Sequence, residues 1–107
     1  MNYPRYEYET EDSLLYYEFI SEGPKGSIKK VVEYSKTSVE NVYNLAFGDY
    51  DEENGEIDDK SVTNNGDSQK VLSTVASTVY AFTGKYPQAW IYATGSTNVR
   101  IRLYRWG

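Results

Sequence analysis

The sequence predicts an α+β domain in which an antiparallel β-meander of about four to six strands packs against one main helix. Three observations carry this expectation. The stretch 64–87, NNGDSQKVLSTVASTVYAFTGKYP, places apolar residues in pairs one turn apart: Val71 and Leu72, Val75 and Ala76, Val79 and Tyr80. That spacing makes one broad helical stripe. Before and after it lie short runs rich in Tyr, Val and Ile, bounded by Gly, Pro and Asn, which is strand patterning. The 107 residues suit a single domain spanning 1–107 with one core, and no linker or internal repeat divides them.

The helix is expected over about 68–83. Asp67 can cap it, although Lys70 stands where a capping box would place Glu or Gln. Gly84 can end it and Pro87 prevents a restart. Ser73, Thr74, Ser77 and Thr78 fill the face opposite the apolar stripe. Thr and Val are weak helix formers, so packing must hold this helix.

The strands follow from the rest of the chain in order. Tyr3–Glu9 alternates loosely and Pro4 suits an edge. Leu14–Ser21 and Ser27–Lys36 read as a hairpin around the turn cluster Glu22-Gly23-Pro24-Lys25-Gly26. Within the second strand Ile28, Lys30, Val32 and Tyr34 share one face. Val42–Gly48 follows, with Tyr43, Leu45 and Phe47 on one face. Asn54-Gly55 is a reverse-turn signal, after which Glu56–Thr63 can return as a strand. Gln88–Thr94 reads as another strand. Segment 96–106 fits either element: Val99, Ile101 and Leu103 alternate with Arg100, Arg102 and Tyr104, whereas Val99, Leu103 and Trp106 share a helical face. The expected core is Phe19, Ile28, Val32, Tyr43, Leu45, Phe47, Leu72, Val75, Ala76, Val79 and Ile91.

Composition removes several kinds of chemistry. The sequence has no Cys and no His, hence no disulfide, thiolate metal site or Ser-His triad. No phosphate-binding glycine motif, signal peptide or apolar run long enough for a membrane is visible in it. A cytoplasmic protein without a cofactor is expected, and enzymatic activity, resting on carboxylates alone, ranks last. The formal net charge is -5, and seven of the 16 acids lie between Asp49 and Asp59. Asp49, Asp51, Glu53 and Glu56 could offer oxygens to Ca²⁺. Counted from Asp49, however, Asn54 and Lys60 occupy the positions where an EF-hand needs Gly and Glu. A solvated turn is the better reading. Asn64–Asp67 could expose amides to an anion, but the carboxylate of Asp67 already occupies that place.

Several segments are familiar. SEGPKGSIKKVVEYS, YNLAFGD, NNGDSQKVLSTVASTV and GSTNVRIRLYR resemble a family of small, uncharacterised bacterial proteins, a domain of unknown function. The resemblance runs from about Tyr16 to Arg105 and implies no activity. It implies that family members continue beyond this chain, which would then be a shortened form. It also tips 96–106 towards a helix, although Val99 and Ile101 are more β-branched than that family pattern.

Two constellations point to a binding module. Ser96 and Thr97 precede Arg100, Arg102 and Arg105, a set of hydroxyls and guanidiniums suited to phosphate. Lys25, Lys29 and Lys30 lie beside Tyr17 on the hairpin, and lysines interleaved with aromatics serve single-stranded nucleic acid binders. The order of strands before a helix is similar to that of Pur-alpha and Whirly-type single-strand binders, although fold order does not carry function. The expected partner is therefore single-stranded nucleic acid or another polyanion. The alternative is a protein-interaction module or homodimer that uses a Tyr-rich sheet, with Trp106 covered by a second copy. Convergence of the basic residues on one face favours the first; their dispersal, with an exposed Tyr patch, favours the second.

Overall fold

A computed structural model describes residues 4–58, 65–93 and 102–105, with Asp58 and the last four described by backbone alone. The strands are β1 (Glu9–Thr10), β2 (Tyr16–Gly23), β3 (Gly26–Lys36), β4 (Val42–Asp51), β5 (Glu56–Asp58), β6 (Trp90–Ala93) and β7 (Arg102–Arg105), with one helix, α1 (Ser68–Lys85), between β5 and β6. The fold is α+β, as the patterning predicts. One sheet runs in the order β1-β2-β3-β4-β6-β7, with β5 also on β4. The β2–β3 hairpin pairs Tyr17 with Val32 and Phe19 with Lys30. β3 then pairs Val32 with Phe47 and Lys30 with Asp49.

The meander is interrupted once. β6 lies parallel to β4, pairing Tyr43 with Ile91. It shares the edge of β4 with β5, which runs antiparallel through Tyr50 and Ile57. A parallel partner needs a crossover rather than a hairpin, and α1 lies in that connection. The tail is a strand over Arg102–Arg105, antiparallel to β6. The helical alternative therefore does not hold there, and a strand supplies the next ladder to the β6 edge. The rest of 96–106 lies outside the described residues, as does any return strand beyond Asp58 and the position of Trp106.

The core is aromatic and sits between α1 and one face of the sheet. Tyr17, Phe19, Val32, Tyr34, Tyr43, Leu45 and Ile91 are buried on that face, with Phe47 packed against them. Phe82 is wholly buried and stacks on Tyr34 with centroids 4.1 Å apart. Its edge contact with Tyr43 is at 5.1 Å. Burying one such ring contributes roughly 1.5–3 kcal/mol, and paired rings add about 0.5–1.5 kcal/mol each. Among the described side chains, the hydroxyl of Tyr17 is the one buried polar atom with no hydrogen-bond partner. Burial, then the neighbouring phenols of Tyr34, Tyr8 and Tyr86, pushes its pKa up.

The helix is rotated from its expected setting. Val71, Thr74, Thr78 and Phe82 face inward, while Val75 and Val79 pack at the margin. Leu72 is 66% exposed, and Ala76 is also on the outside. The physical reason is that both threonines find partners. Thr74 Oγ1 accepts the N–H of Tyr6 at 2.8 Å and donates to the carbonyl of Lys70. Thr78 Oγ1 donates to the carbonyl of Val75, and it lies 3.0 Å from the hydroxyl of Tyr34. A satisfied buried hydroxyl costs little, so this face, which carries Phe82, packs inward. Ile28 is only half-buried.

Asp67 does not cap the helix. Its side chain makes no bond to a first-turn amide. Instead it is hydrogen-bonded by Ser21 and Tyr6. Asn65 ties the hairpin turn to the helix start. It accepts the N–H of Lys25 and donates to the carbonyl of Gly26 and to Ser21 Oγ. A Cβ on Gly23 would meet the carbonyl oxygen of Asn65 at 2.1 Å, so only glycine allows this approach.

Candidate functional site: the outer face of the sheet

Strand parity decides which side chains reach the outer face. Neighbours in a strand point to opposite sides. Since Tyr17, Phe19 and Ser21 are buried beneath α1, Tyr16, Glu18 and Ile20 point outward. Through the register, Lys29, Val31 and Glu33 on β3 and Asn44, Ala46, Gly48 and Tyr50 on β4 share that side. Val42 and Asn44 are matched by Trp90 and Tyr92 on β6. The outer face thus carries Tyr16, Tyr50, Tyr92, Trp90 and Ile20, with Trp90 and Ile20 exposed.

Val31 nevertheless has no solvent exposure, and Gly48 beside it is buried. The hydroxyl of Tyr16 donates to Glu18 Oε2 at 3.1 Å. The same Glu18 oxygen pairs with Lys29 Nζ at 3.0 Å. Lys29 Nζ also lies 4.5 Å from the ring centroid of Tyr50. Burial first, and the Glu18 hydrogen bond second, raise the Tyr16 phenol to about 12. Tyr16 therefore remains a neutral donor at physiological pH. Next to this chain lies a groove of about 540 Å³ lined by Tyr16, Glu33, Ala46, Tyr50, Glu56 and Ile57, with Gly55 of the turn. Gly55 has φ +68°, the left-handed conformation that the Asn54-Gly55 signal predicts.

The residues singled out for nucleic acid do not assemble into one face. Lys29 and Lys30 point to opposite sides of β3. Lys30 is 1% exposed, and its Nζ lies 2.5 Å from Asp49 Oδ1 beneath the helix. Tyr17 is wholly buried and cannot stack on a base without opening the core. Lys25 is exposed at the turn, away from the outer-face rings. Arg102 and Arg105 bound the edge strand β7. Ser96, Thr97 and Arg100 lie outside the described residues. The acidic turn is held by Asp51, which accepts the N–H groups of Glu53 and Asn54 and the side-chain amide of Asn54. Among the described residues no acidic group is arranged for a metal ion.

Sequence reasoning missed Tyr50 and Glu33, and the tyrosine it singled out, Tyr17, is buried. Parity was the available signal, because Tyr16 falls out of phase with Phe19. The family is shown by comparison with known proteins. The chain belongs to DUF6934, a family of unknown function, whose model matches residues 2–107. No curated protein and no solved structure matches it. No described helix of this DUF6934 chain is long and apolar enough to cross a membrane.

Proposed function

We propose that this chain is a protein-interaction module of the bacterial cytoplasm and that its partner-facing surface is the outer face of the sheet. The observation that supports this most is the grouping of Tyr16, Tyr50, Tyr92 and Trp90 on the side away from α1. Aromatic side chains concentrated on one surface are characteristic of protein interfaces. The nucleic-acid reading has less support. Lys29 is engaged with Glu18 and Tyr50, and Lys30 is engaged with Asp49 in the interior. A cytoplasmic setting fits a chain without cysteine.

The test is affinity capture from cells that make the protein, with the unaltered chain and with Trp90→Ser/Tyr92→Ser. A specific partner retained by the first and lost by the second is the expected result. A titration with single-stranded oligonucleotide at low salt runs in parallel. Oligonucleotide binding, combined with capture indifferent to the two substitutions, would overturn the reading.

A second reading is supported by the other side of the molecule. Leu72 and Tyr80, 66% and 65% exposed, lie two turns apart with Ala76 between them. The sequence from Val71 to Gly84 carries no charge. A second copy could lie along this stripe without like-charge repulsion. Sedimentation with Leu72→Glu tests it. A dimer dissociated by that change supports the homodimer, and a monomer at all concentrations removes it.

A further inference from the structure

We propose that the groove between Tyr16 and Tyr50 receives a cationic side chain of the partner, arginine in preference to lysine. This deepens the protein-interaction reading and rests on it. Glu33 lines that groove together with Tyr16, its cross-strand partner, and Tyr50, and among the described residues it has no hydrogen-bonded or ion-paired partner. A second acid, Glu56, also lines the groove, while Glu18 nearby is already paired with Lys29. The groove therefore combines uncompensated carboxylate charge with aromatic rings.

The chain itself demonstrates that one of these rings accepts a cation. Lys29 Nζ sits 4.5 Å from the Tyr50 centroid, within the range of a cation–π contact. The Tyr16 ring stays neutral, since burial and the bond to Glu18 hold its proton. Charge favours the same ligand over a distance, because Asp51, Glu52 and Glu53 form the turn beyond Tyr50. Two rings beside two carboxylates, those of Glu33 and Glu56, suit a guanidinium better than an ammonium. The planar group can stack on a ring while its fork meets the carboxylate. Ala46 forms an apolar part of the lining for the aliphatic stem.

The experiment uses hexa-arginine with blocked ends as the probe, titrated into the whole chain at low salt and followed by amide shifts in NMR. Shifts centred on Tyr16, Glu33 and Tyr50 are expected. Glu33→Gln should weaken binding about tenfold. Glu40→Gln, which removes the same charge from an exposed loop, should change it less than about twofold. Tyr50→Leu should weaken binding several-fold, whereas Tyr50→Phe, which keeps the ring, should not. Hexa-lysine should bind several-fold more weakly than hexa-arginine. Equal losses for Glu33→Gln and Glu40→Gln would overturn the proposal, because attraction to net charge alone then explains binding. Shifts away from the groove would also overturn it. Failure here is distinguishable from failure of the interface. A partner still lost with Trp90→Ser/Tyr92→Ser but retained by Glu33→Gln keeps the outer face and removes the cation site.

Discussion

Tyr6 and Asp67, 61 residues apart, meet where the N-terminal segment crosses the start of α1: the tyrosine hydroxyl donates to Asp67 Oδ2 at 2.5 Å. The same oxygen accepts Ser21 Oγ–H at 2.5 Å. The Tyr6 hydroxyl also accepts the N–H of Glu22 at 3.0 Å, standing in for a neighbouring strand at the outer edge of β2. Its ring packs on Phe19 with centroids 5.7 Å apart. This latch fixes the N-terminal segment, the hairpin and the helix against one another, and so fixes which parity of β2 faces outward.

Tyr6→Phe keeps the ring and removes those bonds. The expected cost is about 1–3 kcal/mol in urea unfolding at pH 7, because Glu22 N–H and Asp67 lose partners. A change below about 0.5 kcal/mol would remove the latch from the stability of the fold.

The latch also sets an acid response. Burial alone would raise the Asp67 carboxyl, but the hydrogen bonds from Ser21 and Tyr6 outweigh it and hold the pKa below the ordinary 3.8. A carboxyl depressed in the folded state contributes stability above its unfolded value and loses it as pH falls through the folded one. The difference between the unaltered protein and Tyr6→Phe should therefore be constant above about pH 5 and shrink below about pH 4. Urea midpoints measured across that range decide.

The alkaline side follows from the tyrosines. Burial, the leading cause in each case, raises Tyr6, Tyr16, Tyr17 and Tyr34 above the ordinary 10.0. A group whose folded pKa is raised contributes stability that is present below the unfolded value and is lost as pH rises through the folded one. Stability should hold to about pH 9 and fall above about pH 10. Phenolate absorbance should show Tyr17 and Tyr34 ionising only as the protein unfolds. Their ionisation in the folded protein near pH 10 would contradict the buried placement.

Helix orientation has its own test. Thr78→Val adds apolar surface yet strands the hydroxyl of Tyr34, so it should cost about 1–3 kcal/mol. Leu72→Ser, on the exposed face, should stay within about 0.5 kcal/mol. The reverse ranking would restore the expectation that Leu72 belongs to the core.

Lys30→Met leaves Asp49 without its buried cation and should destabilise by about 3–5 kcal/mol, somewhat less in view of the 15% exposure of Asp49. Adding Asp49→Leu should restore much of the loss. Recovery measured in a double-mutant cycle checks the pair directly.

Much of this was legible in the sequence. The β2–β3 hairpin, the β4–β5 turn at Asn54-Gly55 and the helix after Gly66 follow from local periodicity and turn chemistry, which depend on residues a few positions apart. Parity put Ile28, Lys30, Val32 and Tyr34 on one face, but it did not reveal that the face was buried at Lys30. A lysine reads as solvent-facing unless an acid lies opposite, and Asp49 comes from another strand. The outer groove was hidden for the same reason: Tyr16, Glu33 and Tyr50 are brought together by register across three strands.

The sequence by itself determined the α+β class, most element positions and the alternation of each strand, because these are properties of neighbouring residues. Only the tertiary structure decided the rotation of α1, the use of Asp67 as a latch rather than a cap, the parallel pairing of β6 with β4, and the strand at Arg102–Arg105. Each depends on a partner distant in the chain. A threonine can be buried only when a hydroxyl such as that of Tyr34 or an amide such as that of Tyr6 waits for it. An edge such as that of β6 accepts a strand only once the crossover has placed it there.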